Sequence, residues 1–395
     1  MHIPRPLAIA LFLLGSITLS GETIRLDSVK DAWVSDSGKE RDTNMGAARS
    51  MKIKYFQELG LIDFDVSALK GKRIKSATLY VKPDNGGKFK LNDGTDLRWL
   101  SLSTLSHDWV EGNGTDYSTD NEGNGVTFNE SSFKKQNWGF PGARLWDITF
   151  GNGNSLRCEG ELKKDPKTGF HGIPIDPRIV TALAVRAGYG ISVLDGSTHY
   201  SVNCTIFSRE AGKQNAPFIL ADVEPDAAVP DTPTDLAVFP APNFATADQG
   251  AVWITLTVPE RSFAYFIKLN GESIPRFKVP FAADAGLYQS FVIDGLAPDS
   301  DITLEMTIVS LSGIESAPIT VTGRASPALT VPTLPAPAFT PQPGAPLSLG
   351  GVNIWAFPEV VKIHPVRGEW LYETDRKSTR LNSSHESPSR MPPSD

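Results

Sequence analysis

The sequence is poor in cysteine and in recognisable catalytic motifs. Its 395 residues include two cysteines, Cys158 and Cys204, and neither lies in a CxxC pair or another metal-type cluster. A disulfide between them in an oxidising compartment and two buried free thiols are the alternatives. The motifs HExxH, GxSxG, GxGxxG and Walker A are also absent. The sequence therefore gives no catalytic residue and no cysteine-based metal site.

Long apolar segments are missing as well; the N-terminus has a short apolar segment. There, Arg5 precedes an apolar run over residues 7–14, and small residues precede a cleavage site near Ser20 or Gly21. The run is too short to span a bilayer, and no later segment is long enough. We expect residues 1–20 to be a signal peptide and the protein to be secreted or at the cell surface. A single-pass anchor is the alternative.

Acidic residues outnumber basic ones over the whole chain, but not in every part of it. The totals are 38 Lys and Arg against 45 Asp and Glu, a formal net charge of -7, which makes nucleic acid a poor candidate partner. Between residues 49 and 90, ten basic residues stand against four acidic ones, a local balance of +6. Such a stretch suits the carboxylate or sulfate groups of an anionic polysaccharide. A solvated sheet face or a guarded edge strand is the alternative.

Short runs with a period of two dominate residues 22–224. In LIDFDVS, we expect Ile62, Phe64 and Val66 on one face and Asp63 and Asp65 on the other. The 34 Gly and 30 Pro favour turns between such runs. The pattern predicts an all-β fold, a jelly-roll β-sandwich of half-buried antiparallel strands.

One helix is predicted within this block, in IPIDPRIVTALAVRAG. Asp176 is its expected N-cap, Pro177 occupies the first helical position, and Gly188 is a plausible stop. The apolar residues Ile179, Val180 and Leu183 share one face. We expect this helix to close one end of the sandwich.

A Pro-rich linker over residues 225–233 separates a second β block at 234–324, which is long enough for a smaller immunoglobulin-like sandwich. Residues 325–350 form a Pro/Ala-rich linker, and residues 351–373 resemble the opening strands of a further, truncated domain. The stretch DRKSTRLNSSH at 375–385 can be encoded without mismatch by a widely used short-read sequencing adapter. We therefore interpret residues 374–395 as adapter read-through.

Four stretches of the first block resemble the DNRLRE-type carbohydrate-binding module of exported bacterial proteins. They are KDAWVSDSGKERDTNMGAARSMKIK, LGLIDFDVSALKGKRIKSATLYVKP, LSHDWVEGNGT and FSREAGKQNAPFILADVE. The resemblance implies a polysaccharide ligand and draws attention to Trp109-x-Glu111-Gly112 and Ser208-Arg209-Glu210. Residues 142–170 depart from the family pattern, so contacts there are not carried over.

The second block resembles a fibronectin type III domain, with Trp253 matching the core tryptophan of an early strand. GLAPDSDITLEMTIVSLSGIESAP is similar to the family's Leu-x-Pro-x-Thr-x-Tyr stretch, although Ser300 replaces the threonine and Ile302 the tyrosine. The resemblance implies a spacer or docking module and a lost tyrosine hydrogen bond.

A sugar-binding surface needs aromatic faces and polar or charged side chains beside them. The candidate ligand-binding residues are Arg49, Lys52, Lys54, Trp99, Trp138 and Arg209. Trp99 and Trp138 are favoured because Gly and Asn lie near them, whereas a tryptophan most often fills the core. Arg209 is expected to pair with Asp63 or Asp65, which would make it structural. Asp27, Asp31 and Asp222 could hold a structural calcium, although no EF-hand spacing exists.

Three functions remain open. The first is a non-catalytic, monomeric module that binds a polysaccharide, and the basic stretch suggests an anionic one. The second is the N-terminal fragment of a glycan-degrading enzyme, a glycoside hydrolase or polysaccharide lyase whose catalytic domain begins near Gly351. The third is a structural cell-surface or adhesion protein that contacts a partner through the second β block.

Overall fold

The computed structural model describes residues 21–329 except 55, 85–98, 116, 118–123, 150–153, 197–203 and 243–247, together with four short strands beyond them. The predicted signal peptide and the predicted adapter tail lie outside the described residues. The four distal strands are Pro346–Leu349, Val352–Trp355, Val361–Ile363 and Trp370–Tyr372, and they pair as two hairpins. No helix among the described residues is long and apolar enough to cross a membrane.

The described part of the first unit is built almost entirely from strands. They are β1 (Glu22–Ser35), β2 (Ser50–Ile53), β3 (Glu58–Phe64), β4 (Lys72–Val81), β5 (Trp99–Thr104), β6 (Glu130–Ser132), β7 (Gln136–Asn137), β8 (Arg157–Glu161), β9 (Lys163–Lys164), β10 (His171–Ile175), β11 (Ile191–Asp195), β12 (Cys204–Phe207) and β13 (Phe218–Pro225). Its helices are α1 (Leu145–Thr149) and α2 (Pro177–Ala184).

Nine of these strands form two facing antiparallel sheets that share β1. Sheet A has the order β9-β10-β4-β13-β1, and sheet B has the order β1-β3-β11-β5-β8. The first half of β1 pairs with β13 and its second half with β3, with a bulge between Ser28 and Lys30. A bulge bends a strand, which allows β1 to pass from one sheet to the other.

The sandwich is nearly closed on the side opposite β1. At Gly160 of β8, an added Cβ would lie 2.6 Å from Cγ1 of Ile173 on β10, so only glycine lets the two strands approach this closely. Apolar side chains from both sheets and from α2 fill the space between them. The prediction of an all-β sandwich is confirmed.

A second apolar core lies on the outer side of sheet B. Residues between β5 and β8 fold over β1, β3 and β11 and bury Trp109, Phe128 and Trp138 there. All seven residues of β3 are consequently buried. Asp63, on the face opposite Ile62 and Phe64, is buried as well; it is 4% exposed and accepts a hydrogen bond from Arg186 at 3.1 Å.

Helix α2 forms as its sequence predicts. The Asp176 side chain accepts a hydrogen bond from the backbone N–H of Arg178, Pro177 opens the helix, and the chain turns out of it before Gly188. Ile179, Val180 and Leu183 are fully buried against the core between the sheets.

The second unit is a seven-stranded sandwich. A three-stranded sheet contains β14 (Ala237–Ala241), β15 (Gly250–Thr257) and β18 (Tyr288–Leu296). A four-stranded sheet contains β16 (Ala264–Leu269), β17 (Glu272–Ser273), β19 (Asp301–Val309) and β20 (Ile319–Arg324). The arrangement is fibronectin type III-like.

Trp253 does not occupy the core of this second unit. It is 45% exposed, because Val252 and Ile254 on either side of it point inward and strand side chains alternate. Its predicted core position is therefore wrong. Ile302, in contrast, is buried at 2% exposure, as expected of the residue that stands at the tyrosine position.

The two units are in direct contact. Phe277 of the second unit packs with the second core, where its ring centroid lies 5.9 Å from that of His107. A Cβ at Gly139 would lie 3.3 Å from the Phe277 ring, so the glycine makes room for it. The backbone N–H of Gly71 also donates to the carbonyl of Ser312 at 2.9 Å. The second unit therefore completes the packing of the first.

Candidate functional site

Sheet A leaves its outer side open to solvent. Along β1, β4 and β13, alternate residues are buried while their neighbours remain at least partly exposed. We call this surface the open face; its members include Thr23, Arg25, Ser76, Thr78, Tyr80 and Asp222. It offers hydroxyls, charged groups and one half-buried phenol ring on a hydrogen-bonded sheet.

Aromatic rings stack in a row across the open face. The Tyr80 and Phe218 rings are parallel within 9° with centroids 4.8 Å apart, and Phe170 meets Phe218 edge-on at 5.1 Å. The Arg25 guanidinium lies 3.5 Å above the Phe218 ring, a cation–π contact. Phe218 is thereby covered at 7% exposure, which leaves Tyr80 as the ring of this stack with accessible surface.

Gly172 leaves room for the Tyr80 ring. It lies opposite Tyr80 in the β4–β10 ladder, and a Cβ there would come within 3.1 Å of Tyr80 Cε1. The next residue across, on β9, is Lys163, which is exposed. Lys82 Nζ donates to the Asn215 side chain at 2.8 Å beside Phe170. Cations therefore flank the aromatic row on both sides.

The acids of the open face are fixed by hydrogen bonds. Asp222 accepts from the hydroxyls of Ser76 and Thr23, both at 2.6 Å, and these bonds lower its pKa. For Asp27, burial works against ionisation, but hydrogen bonds from Arg25 and Lys213 outweigh it and lower the pKa. Both carboxylates are ionised at neutral pH and already have their own partners.

The predicted calcium set is not brought together. Asp27 pairs with Arg25 and Lys213, Asp222 pairs with two hydroxyls, and Asp31 is buried elsewhere. Among the described residues, the one group of three acids with ligand atoms within 4.8 Å of one another is Asp31, Glu111 and Glu210.

That acidic group surrounds Arg209. The Arg209 guanidinium donates Nε to Glu111 Oε1 at 3.1 Å and an Nη to Oε2 at 2.5 Å, and it lies 3.2 Å from Glu210. Since Arg209 already holds both oxygens of Glu111, the cluster does not offer a free set of carboxylates to calcium. The expected partners Asp63 and Asp65 are wrong; the structural role expected for an Arg209 ion pair fits the geometry.

Asp31 has an unusual environment within this cluster. It is 1% exposed; Oδ2 accepts the backbone N–H of Arg209 at 2.8 Å, while buried Oδ1 has no hydrogen-bond partner. Burial, together with the nearby Glu210 and Glu111, raises the pKa of Asp31 to about 8. The folded protein therefore holds a proton here at neutral pH.

Three of the four stretches that carry the family resemblance meet at this cluster. Asn44 Nδ2 donates to the Glu111 carbonyl at 2.7 Å, and its Oδ1 accepts from Gly114 N–H at 2.8 Å. Glu111 Oε1 accepts from Asp31 N–H at 2.7 Å. Ser208 Oγ donates to the Ala48 carbonyl at 2.6 Å. These bonds join β1, the segment before β2, the segment after β5 and the end of β12, which is a structural role.

Three cations of the basic stretch are paired with acids, two of which lie outside it in sequence. Lys52 pairs at 2.7 Å with Glu58, which is 1% exposed, and it also donates to the Tyr117 hydroxyl. Lys72 pairs with Glu22, and Lys75 pairs with Glu224. Arg49 is exposed with its guanidinium 5.9 Å from the Phe207 ring, and Lys54 is half-buried. Lys88 and Lys90 lie outside the described residues.

The two favoured tryptophans have opposite environments. Trp138 is fully buried in the second core, where Nε1 donates to the Thr127 carbonyl at 3.1 Å, so its ring offers no surface to a ligand. Trp99 is 47% exposed at the start of β5, opposite Glu161 on β8. Trp99 therefore stays a candidate contact.

The two cysteines are unpaired in the structure. Cys158 lies on β8, which pairs with β5, whereas Cys204 lies on β12, which pairs with β2. Burial raises the pKa of both thiols, that of Cys204 to about 12. The alternative of two free thiols therefore replaces the disulfide prediction, with Cys204 buried as expected and Cys158 half-buried.

Sequence reasoning missed Arg25, Phe218 and Gly172 as parts of one surface. The alternation in IKSATLYVKP already set Tyr80 on the face opposite Leu79. The cross-strand neighbours of Tyr80 come from chain segments more than ninety residues away, so no local pattern could find them.

No family model matches the chain, and no curated protein does. Among solved structures, the glycoside hydrolase domain of Endo-D from Streptococcus pneumoniae R6 is 11% identical over 76% of this chain and 37% of that one, with a TM-score of 0.21. The Yersinia enterocolitica family 28 exopolygalacturonase is 18% identical over 25% of this chain and 21% of its own, with a TM-score of 0.18. The FN1–FN3 domains of chicken CNTN1 are 14% identical over 41% of this chain and 54% of that one, with a TM-score of 0.18. The chain thus spans about a fifth of the exopolygalacturonase and about a third of the Endo-D domain.

Proposed function

We propose that the first unit is a DNRLRE-type, non-catalytic polysaccharide-binding module of a secreted protein and that it binds through the open face. The observation that carries this proposal is the stacked row of Arg25, Phe218 and Tyr80, with accessible ring surface left on Tyr80. A phenol ring fixed by stacking and by Gly172 presents an apolar surface to the C–H groups of a sugar at low entropic cost.

Polar groups around the ring suit the hydroxyls of a saccharide. Thr78 and Ser76 lie on the same side of β4 as Tyr80, and Arg25 and Lys82 supply charged donors. Because Lys72, Lys75, Lys52 and Arg25 are paired with acids, a preference for anionic chains depends on Lys82 and Lys163. This preference is accordingly modest, and neutral polysaccharides belong in the same test.

Affinity electrophoresis of the chain without residues 1–20 tests the proposal. Gels containing alginate, pectin, a sulfated glycan or a neutral β-glucan are compared with a gel that contains no polysaccharide. We expect retardation in at least one of them, and about tenfold weaker binding for Tyr80→Ala. Tyr288→Ala is the matched control, since Tyr288 is an exposed tyrosine of the second unit.

Unchanged mobility in all four gels would contradict the proposal and favour the structural or adhesion alternative. If the chain is retarded and neither Tyr80→Ala nor Tyr288→Ala changes the retardation, the binding surface lies outside the open face. Circular dichroism of both variants checks that the sandwich is retained.

A further inference from the structure

We propose that the bound polysaccharide runs across the strands, from Tyr80 around the closed side of the sandwich to Trp99, so that the module recognises an internal stretch of chain. This inference rests on the proposed function and identifies the form of its ligand. It requires that Tyr80 and Trp99 lie at the same level, on one continuous outer surface, with nothing covering the path between them.

The strand pairings put the two rings at nearly the same level. Trp99 lies opposite Glu161 of β8, and β8 leads through Leu162 into β9, where Lys163 lies opposite Gly172. Gly172 in turn lies opposite Tyr80. β8 and β9 therefore run as one segment past β10, and the two rings differ in height by about two residues.

The close approach at Gly160 makes the outer surface continuous. With β8 packed against β10, the path from β5 to β4 crosses three strand spacings, roughly 15 Å between backbones. A monosaccharide cannot reach both rings, whereas an oligosaccharide can. Binding to both rings therefore requires a ligand of several sugar units.

Among the described residues, the surface between the rings is exposed and polar. Glu159 and Glu161 on β8 and Pro174 on β10 are exposed, and Thr78 on β4 is half-buried. Carboxylates accept hydrogen bonds from sugar hydroxyls. The acidic end near Trp99 disfavours a uronate there, while Lys163 near Tyr80 accepts one.

Titration calorimetry with a disaccharide and a hexasaccharide of the polysaccharide retained in the gels tests this path. For the hexasaccharide, we expect Trp99→Ala to weaken binding about tenfold and Tyr80→Ala to weaken it similarly. For the disaccharide, we expect Trp99→Ala to change the affinity less than twofold. Trp253→Ala is the matched control, because Trp253 is a 45% exposed strand tryptophan of the second unit, close to the 47% of Trp99.

The outcomes separate this inference from the proposed function. If Tyr80→Ala weakens binding of both the disaccharide and the hexasaccharide and Trp99→Ala weakens neither, the path to Trp99 is wrong. Binding through the open face is then still supported. If the parent chain binds both oligosaccharides with equal affinity, the path is also wrong. If no polysaccharide is retained at all, the proposed function itself fails.

Discussion

The outer faces of sheets A and B differ in what covers them. Sheet B is buried on both sides over β1, β3 and β11, because residues between β5 and β8 and Phe277 of the second unit lay an apolar core over these strands. Sheet A is buried on its inner side and carries hydroxyls, charges and a stacked aromatic row on its outer side. Aromatic side chains accordingly have different roles on the two sheets: Trp138 fills the core over sheet B, whereas Tyr80 on sheet A keeps accessible surface. Aromatic content alone therefore does not locate a binding surface.

Removing a side chain from the centre of the core over sheet B should lower the free energy of unfolding the most. Trp138→Ala deletes a fully buried indole and leaves a cavity, so we expect the free energy of unfolding to fall by about 4 kcal/mol. Denaturant unfolding followed by circular dichroism measures it. A loss below 1 kcal/mol would show that the core over sheet B is dispensable; Trp253→Ala is the exposed-tryptophan control.

Removing the side chain that the second unit adds to the same core should lower the free energy of unfolding somewhat less than Trp138→Ala does. Phe277→Ala removes an 8% exposed ring that packs beside His107, and we expect a loss of about 3 kcal/mol. Calorimetry should show the unfolding of the first unit moving to lower temperature. If only the second unit is affected, the contact does not stabilise sheet B. Phe239→Ala, at an exposed position of the same unit, is the control.

The Asp31 cluster, which ties the covering segment to β1, should make stability depend on pH. Asp31 is protonated in the folded protein up to pH about 8, but in the unfolded chain it loses its proton near pH 4. The folded state thus binds more protons in this range, and the free energy of unfolding should fall as the pH rises from about 4 to about 8.

Asp31→Asn should remove this component of the pH dependence while keeping an oxygen for the Arg209 N–H. Denaturant midpoints measured at pH 5 and pH 9 are compared between the parent and the variant. The ionisable neighbours Glu111, Glu210 and Arg209 remain in both proteins. Equal pH slopes in the two proteins would contradict the raised pKa.

The open face should tolerate substitution with the smallest loss of stability. Tyr80 is half-buried, so we expect Tyr80→Ala to lower the free energy of unfolding by about 1 kcal/mol, well below the Trp138→Ala value. The same denaturant series measures it. A loss as large as that of Trp138→Ala would mean that the aromatic row is a structural element of the fold.

Periodicity was enough to predict the sandwich class and helix α2. It did not predict that Asp63 is buried, because the core that covers β3 comes from a distant segment. The family resemblance placed Trp253 in the core wrongly, because it does not give the register that points Val252 and Ile254 inward. Arg209 could be judged structural from sequence, but Glu111, 98 residues away, could not be chosen as its partner.

The Phe277 contact also bears on how the open face is presented. A Pro-rich tether at 225–233 would by itself leave two domains free to reorient. The inserted Phe277 ring and the Gly71–Ser312 hydrogen bond oppose that reorientation. The direction in which the open face points relative to the second unit is then set by side-chain packing as well as by the tether.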